Sequence, residues 1–144
     1  MGSNDLISPV ELIALAANAR QQAYAPYSNF TVGAAVLTAD GRVFLGANVE
    51  NASYGLSICA ERVAAFTAAA EGALPLVACA VVAGKKGEPA GMVLPCGACL
   101  QVLLELSNPV SIVSQELIVY TVGEDGAVTR KKLSELLPSP FKGT

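Results

Sequence analysis

The eight residues at positions 76–83, Leu-Val-Ala-Cys-Ala-Val-Val-Ala, are apolar without interruption. A half-exposed strand alternates polar and apolar residues, so an unbroken run of this length reads as a strand buried on both faces. Layers must therefore pack on either side of it. Helical patterns flank it in sequence. Residues 57–71 are rich in Ala and stop at Gly72. Residues 97–106 put Val102, Leu103 and Leu106 on one side.

The remaining elements fit the same frame. Ser8 followed by Pro9 and Glu11 reads as a capping box with Pro in the first turn. Leu12, Ile13, Leu15, Ala16 and Ala19 then form one apolar face of a helix running to about Gln22, and Pro26 ends that element. Residues 30–38 and 42–49 are extended, and Asp40-Gly41 between them is a hairpin signal. Residues 85–89 form a polar loop. Residues 117–122 are a further β-rich strand, followed by a turn at Glu124-Asp125-Gly126. Residues 133–137 form a short last helix stopped by Pro138, and residues 109–116 fit no element. The order is helix, hairpin, helix, strand, helix, strand and tail. It predicts one domain over residues 1–144, an α/β sandwich with a mixed sheet whose last two crossovers are right-handed βαβ units.

Composition narrows the function classes. Hydrophobic residues make up 53% and charged residues only 15% of the chain, which excludes disorder. The uncharged stretch 72–84 has 13 residues, whereas a membrane span needs about 20. Nine Lys and Arg against twelve Asp and Glu, a net charge of −3, leave no electrostatic footprint for nucleic acid. No basic segment precedes an apolar run, so a cytoplasmic protein is expected. So few charges cover a monomer's surface poorly, which predicts an obligate oligomer.

The chain has four cysteines and no histidine. Any transition-metal site must then use thiolates or carboxylates, and proton transfer near pH 7 lacks its usual residue. Cys96-Gly97-Ala98-Cys99 sits at a predicted helix start, and Cys59 sits near another, 37 residues earlier. Helix N-termini favour thiolate. Three thiolates brought together there suit Zn²⁺ and leave the fourth position open, the catalytic rather than the structural pattern. Cys79 lies inside the buried strand and reads as core. A C-x-x-C pair by itself is equally a thioredoxin-like redox pair or two buried cysteines.

Glu61 stands two residues after Cys59, in the same first helical turn. Residues at that spacing do not share a helix face, so both ligating one ion is awkward. Glu61 instead overhangs the open position, where a partly desolvated carboxylate carries protons near pH 7. A solvated Glu favoured by the helix dipole is the ordinary alternative.

Cys59-Ala60-Glu61 with Pro95-Cys96-Gly97-Ala98-Cys99 resembles the three-cysteine form of the zinc deaminase signature. The chain is most similar to the small cytidine deaminases. Three further segments carry that likeness: Phe44-Leu45-Gly46-Ala47-Asn48-Val49-Glu50-Asn51-Ala52-Ser53-Tyr54, then Ala25-Pro26-Tyr27-Ser28-Asn29-Phe30-Thr31-Val32-Gly33, and Glu135-Leu136-Leu137-Pro138 with Phe141. The resemblance implies a three-layer α/β/α sandwich around a mixed sheet of about five strands. It also implies a homotetramer with one zinc per subunit that hydrolyses cytidine and deoxycytidine to the uridines and ammonia.

Residue by residue, it implies Cys59, Cys96 and Cys99 as zinc ligands and Glu61 as proton shuttle. Asn48 and Glu50 would hold the ribose hydroxyls, and Phe30 would stack on or beside the pyrimidine. The backbone N–H of Ala60 would meet the base's carbonyl oxygen, while Tyr54 and Phe141 would reach a neighbouring subunit's site. Arg62 would offset the charge of three thiolates by donating to sulfur.

The chain departs from the family at Leu100, where Arg is frequent, at Val93-Leu94, where Ser is common, and in the loop 108–116. Those departures bear on the preferred sugar or base. Three rivals stand beside this reading. One is a deaminase of a nucleoside antibiotic or modified cytosine nucleoside. Another is a structural-zinc interaction module with Cys79 as fourth ligand. The third is a thiol–disulfide oxidoreductase.

Overall fold

The computed structural model describes residues 7–109 and 116–142. Most of the departing loop, residues 110–115, lies outside them. The helix start forms as expected. The Glu11 N–H donates to Ser8 Oγ at 3.2 Å, and the Ser8 N–H donates to Glu11 Oε1 at 3.1 Å. Helix α1 (Pro9–Ala19) follows and tightens into a 3₁₀ turn at Arg20–Gln22.

Strands β1 (Phe30–Thr38) and β2 (Val43–Ala47) form the hairpin, with Gly41 at a φ of 89° in its turn. Helix α2 (Ala60–Ala70) leads to β3 (Leu76–Lys85), and α3 (Gly97–Ser107) leads to β4 (Ile118–Val122). Strand β5 (Val128–Lys132) and the short α4 (Leu133–Leu136) close the chain.

The sheet order is β2-β1-β3-β4-β5, mixed, with only β3 and β4 parallel among neighbours. Both β2 and β3 run antiparallel to β1, so α2 joins two strands of like direction, as α3 does.

Three expectations need correction. Helix α2 starts at Ala60 rather than 57, because Ile58 is held extended by paired backbone bonds with Val49, at 2.9 and 3.1 Å. Strand β3 runs on to Lys85, because β1 is long enough to pair with it there. Strand β5 lies where the sequence pattern predicts only tail. Its sequence, Val-Thr-Arg-Lys-Lys, is an exposed edge strand with too little apolar alternation to betray it, and pairing with β4 creates it.

Alternation along the central strands builds two cores. In β1, Ala35 and Leu37 face α1, while Ala34 and Val36 face α2 and α3. In β3, Ala78, Ala80 and Val82 join the α1 side, and Cys79 and Val81 the other. Helix α1 contributes Leu12, Ile13 and Ala16 to the first core; α2 and α3 contribute Ala64, Ala68 and Leu103 to the second. The result is an α/β/α sandwich. Each fully buried Leu or Val stabilises it by about 1.5–3 kcal/mol. Among the described residues no helix is long and apolar enough to cross a membrane.

Small residues let the helices sit close. A Cβ placed on Gly46 of β2 would overlap the Ala60 carbonyl and lie 2.5 Å from the Ala64 nitrogen, so backbone meets backbone there. Gly46→Ala is expected to cost about 1–3 kcal/mol, the range for overpacking. Thermal unfolding at fixed protein concentration checks this. Gly55→Ala, where nothing lies within 4 Å, serves as the variant whose Tm stays put.

Candidate active site

Two helix N-termini meet on one face of the sheet. Cys59 is the N-cap of α2 and Cys96 the N-cap of α3, while Cys99 lies in the first turn of α3. Neither side chain makes a capping bond to the backbone of its own helix. The Sγ atoms of Cys59 and Cys96 are 3.9 Å apart, and all three sulfurs lie within 4.8 Å of one another. Sulfurs bound tetrahedrally to zinc at about 2.3 Å stand about 3.8 Å apart, so this donor set fits the ion. Cys79 is not in the cluster. It is fully buried in β3, where its Sγ points to the Ala80 carbonyl at 3.9 Å, and burial pushes its thiol pKa up.

The cluster is electrostatically polarised. Hydrogen bonding with Cys99 and then with the Arg62 guanidinium pulls the Cys59 thiol below its ordinary range, against the opposing cost of burial. The same bond and its own burial push Cys99 up. Arg62 Nη2 lies 3.5 Å from Cys59 Sγ, and its guanidinium also bonds Cys99. These sulfur contacts hold Arg62 charged more firmly than usual. Arg62 Nε is buried and has no hydrogen-bond partner among the described residues.

Glu61 is 4% exposed. Burial raises its carboxyl to about 7, aided by the charge of Cys59 and opposed by its own backbone N–H and by Arg62. A carboxyl in this range both accepts and releases a proton near neutral pH.

A cleft of about 610 Å³ opens beside the cluster. Cys59, Glu61 and Cys96 line it together with Val32, Val93, Leu94 and Ile58. Polar lining comes from Ser28, Asn48, Glu50 and Ser57, and Tyr27 and Tyr54 also face it. Asn48 and Glu50 come from a short extended segment. Val49 between them pairs with Ile58 on one side, and the backbone of Tyr24 bonds Asn48 and Glu50 on the other. Residues two apart on extended backbone project to one side.

The Asn48 amide accepts from the Val32 N–H at 2.8 Å and donates to the Phe30 carbonyl at 2.9 Å, which fixes it against β1. The Ser28 hydroxyl, then the Tyr27 and Ser28 N–H groups, hold the Glu50 carboxyl below its ordinary range.

Of the residues singled out in the sequence, Cys59, Cys96, Glu61, Asn48, Glu50 and Tyr54 line this cleft, with Cys99 and Arg62 behind it. Ala60 is fully buried at the first position of α2, where a helix N–H has no partner in its own helix. Tyr54 is largely exposed and meets Tyr27 edge-on, ring centres 6.4 Å apart.

Two residues stand elsewhere. Phe30, at the start of β1, does not line the cleft; it touches the site through its backbone. Phe141 lies 73% exposed on the C-terminal tail, its carbonyl accepting from Gln101 Nε2 at 2.7 Å. Sequence reasoning did not single out Tyr27, Ser28, Ser57 and Ile58. A Ser in a loop after Pro26 carries no signal of its own until Glu50 folds against it.

The family model described as the cytidine and deoxycytidylate deaminase zinc-binding region matches residues 8–115. A cytidine deaminase of Halalkalibacterium halodurans is 49% identical over 130 residues, covering 90% of this chain and 91% of the relative. A cytidine deaminase of Sporosarcina psychrophila is 42% identical over 131 residues, covering 91% and 89%. The crystal structure of a cytidine deaminase from Burkholderia pseudomallei superposes with a TM-score of 0.80 at 47% identity, covering 94% of this chain and all of that one. The zinc-fitting sulfurs and the flanking fold thus coincide with a match that spans most of the sequence, and the chain belongs to the cytidine and deoxycytidylate deaminase family.

Proposed function

We propose that this chain hydrolyses cytidine and deoxycytidine to uridine and deoxyuridine with release of ammonia. The observation that carries the reading is a buried carboxyl, Glu61, set in a cleft beside three sulfurs spaced for zinc. The relatives named cytidine deaminases, similar over nearly the whole chain, support the same activity here.

Zinc held by Cys59, Cys96 and Cys99 supplies the Lewis acidity that lets water act as a nucleophile near neutral pH. Glu61 moves the protons. Its carboxylate takes one from the attacking water and delivers it to ring N3, which makes C4 electrophilic. As the C4–O bond forms, Glu61 takes the second proton and passes it to the exocyclic nitrogen. The C4–N bond then breaks and ammonia leaves. Arg62 offsets the surplus negative charge of three thiolates against a divalent ion through its contacts with Cys59 and Cys99. Asn48 and Glu50 bind the sugar hydroxyls, and the Ala60 N–H meets the base's carbonyl oxygen.

Metal content and turnover test the core of this mechanism together. Cys79→Ala is expected to keep one zinc per subunit and Cys96→Ala to lose it. Metal loss from Cys79→Ala would instead favour the four-cysteine structural site. Glu61→Gln is expected to keep zinc but to lose turnover by at least the 10²–10⁴-fold, roughly, that general acid–base catalysis supplies. A rate within tenfold of wild type removes Glu61 from the mechanism.

Substrate size follows from the polar lining of the cleft. Glu50 is held in its charged form and repels a phosphate, and a net charge of −3 opposes tracking of a nucleic-acid backbone. Free cytidine and deoxycytidine are therefore expected to react, CMP poorly and an oligonucleotide not at all. Each buried polar group left unpaired by a wrong substrate costs about 1–3 kcal/mol. Initial rates on the four compounds decide it, and equal rates on CMP or the oligonucleotide overturn the nucleoside assignment. A nucleoside antibiotic or modified cytosine nucleoside turned over faster than cytidine would favour that rival within the same chemistry.

The assembly in this reading is a cytoplasmic homotetramer. Tyr54, Leu56 and Phe141 are each more than 70% exposed, an arrangement suited to burial against other copies. Tyr54 and Phe141 then complete a neighbouring subunit's site. Sedimentation at micromolar concentration is expected to show a tetramer, and an active monomer contradicts it.

A further inference from the structure

Glu50 is held in place from below by a small loop. Its Oε1 accepts the Tyr27 N–H at 3.0 Å and the Ser28 N–H at 3.2 Å. Its Oε2 accepts the Ser28 hydroxyl. The direction of that bond is fixed, because an ionised carboxylate only accepts. Ser28 Oγ in turn accepts the Phe30 N–H at 3.0 Å. The hydroxyl is thus both donor and acceptor, and it ties the carboxylate of Glu50 to the first residue of β1. An ionised carboxylate offers about four acceptor positions. Three donors occupy all but one of them, and the remaining position is on Oε2, the oxygen that Ser28 orients.

We propose that Ser28 is a positioning residue for substrate binding: its hydroxyl aims the one free acceptor position of Glu50 at the ligand. The proposal rests on the reading that Glu50 meets the nucleoside sugar. Ser28 itself need not touch substrate. It acts by fixing the second oxygen of a carboxylate whose Oε1 is already held by the Tyr27 and Ser28 N–H groups and whose Oε2 it alone bonds among the described residues. Pre-ordering of this kind strengthens binding without new contacts, because the bound geometry no longer has to be selected from several. Among the described residues the Ser28 hydroxyl bonds Glu50 and the Phe30 N–H and neither the sulfurs nor Glu61, so loosening it alters binding rather than proton transfer.

Steady-state kinetics on cytidine test this with four variants of the whole protein. Ser28→Ala removes both bonds of the hydroxyl and is expected to raise KM about tenfold, the scale of a lost hydrogen bond to a charged group. Its kcat, zinc content and Tm are expected to stay near wild type. Ser28→Thr keeps the hydroxyl at an exposed position and is expected to return KM to within about threefold, less than the loss of such a bond. In a Glu50→Ala background, Ser28→Ala is expected to add nothing further.

The outcomes separate the two ideas. If Glu50→Ala leaves KM unchanged, the sugar-binding role of Glu50 fails. If Glu50→Ala raises KM and Ser28→Ala does not, the positioning role of Ser28 fails while the reading of Glu50 stands. A Ser28→Ala enzyme that loses kcat, zinc and Tm together, or that Thr does not rescue, shows a role in loop stability and also overturns the proposal.

Discussion

Burial of β1 and β3 on both faces is the constraint from which the rest of the molecule follows. A strand with apolar side chains on each face must be covered twice, so one helix packs on one side and two on the other. The two helices that share a face are α2 and α3, and their N-termini come together there. Close seating at Gly46, where the α2 backbone touches β2, sets the height of Cys59 and Glu61 above the sheet. The site is thus a by-product of layer packing. The Ala-rich face of α2 permits the approach, since larger side chains at Ala64 or Ala68 would lift the helix away from the strand.

Convergence of two N-termini is also what makes three sulfurs tolerable in one place. Each terminus presents partial positive charge and free N–H groups, which favour thiolate. Arg62 adds a full charge at 3.5 Å from Cys59. Without these, repulsion between neighbouring thiolates would oppose each deprotonation after the first. The departure at Leu100 bears on this balance. Its side chain is in the core beneath α3 and adds no charge, so Arg62 is the guanidinium that meets the sulfurs.

Much of this was legible in the sequence, and the reasons are particular. The capping box at Ser8 and Glu11, the hairpin at Asp40-Gly41 and the unbroken run at 76–83 each depend on local chemistry, so each could be read locally. Strand β5 could not, because Arg130, Lys131 and Lys132 carry no burial pattern and only the neighbouring β4 makes them a strand. The same distinction holds in the site. Cys59, Cys96, Cys99 and Glu61 announce themselves by residue type and spacing. Ser28 and Tyr27 do not, because their contribution is a contact with Glu50 across 22 and 23 positions of chain. Phe141 marks the limit on the other side. Its motif is visible, but its exposed ring does not line the cleft.

The missing histidine explains why burial matters so much at Glu61. A carboxyl in water titrates near 4.3, roughly three units too low to hand protons back and forth at pH 7. The fold raises it by desolvation, with the charge of Cys59 adding to the effect and Arg62 restraining it. Each of these neighbours has a second task, as zinc ligand or as counter-charge to sulfur. In the proposed mechanism, proton carrier and metal donors are tuned by one set of contacts at the start of α2. There, three consecutive roles, ligand, backbone amide and proton carrier, fall on Cys59, Ala60 and Glu61 because a helix N-terminus is where side chains and free N–H groups point at the same ligand. In the same reading, a site so compressed leaves Asn48 and Glu50, with the loop that holds them, to recognise the rest of the substrate.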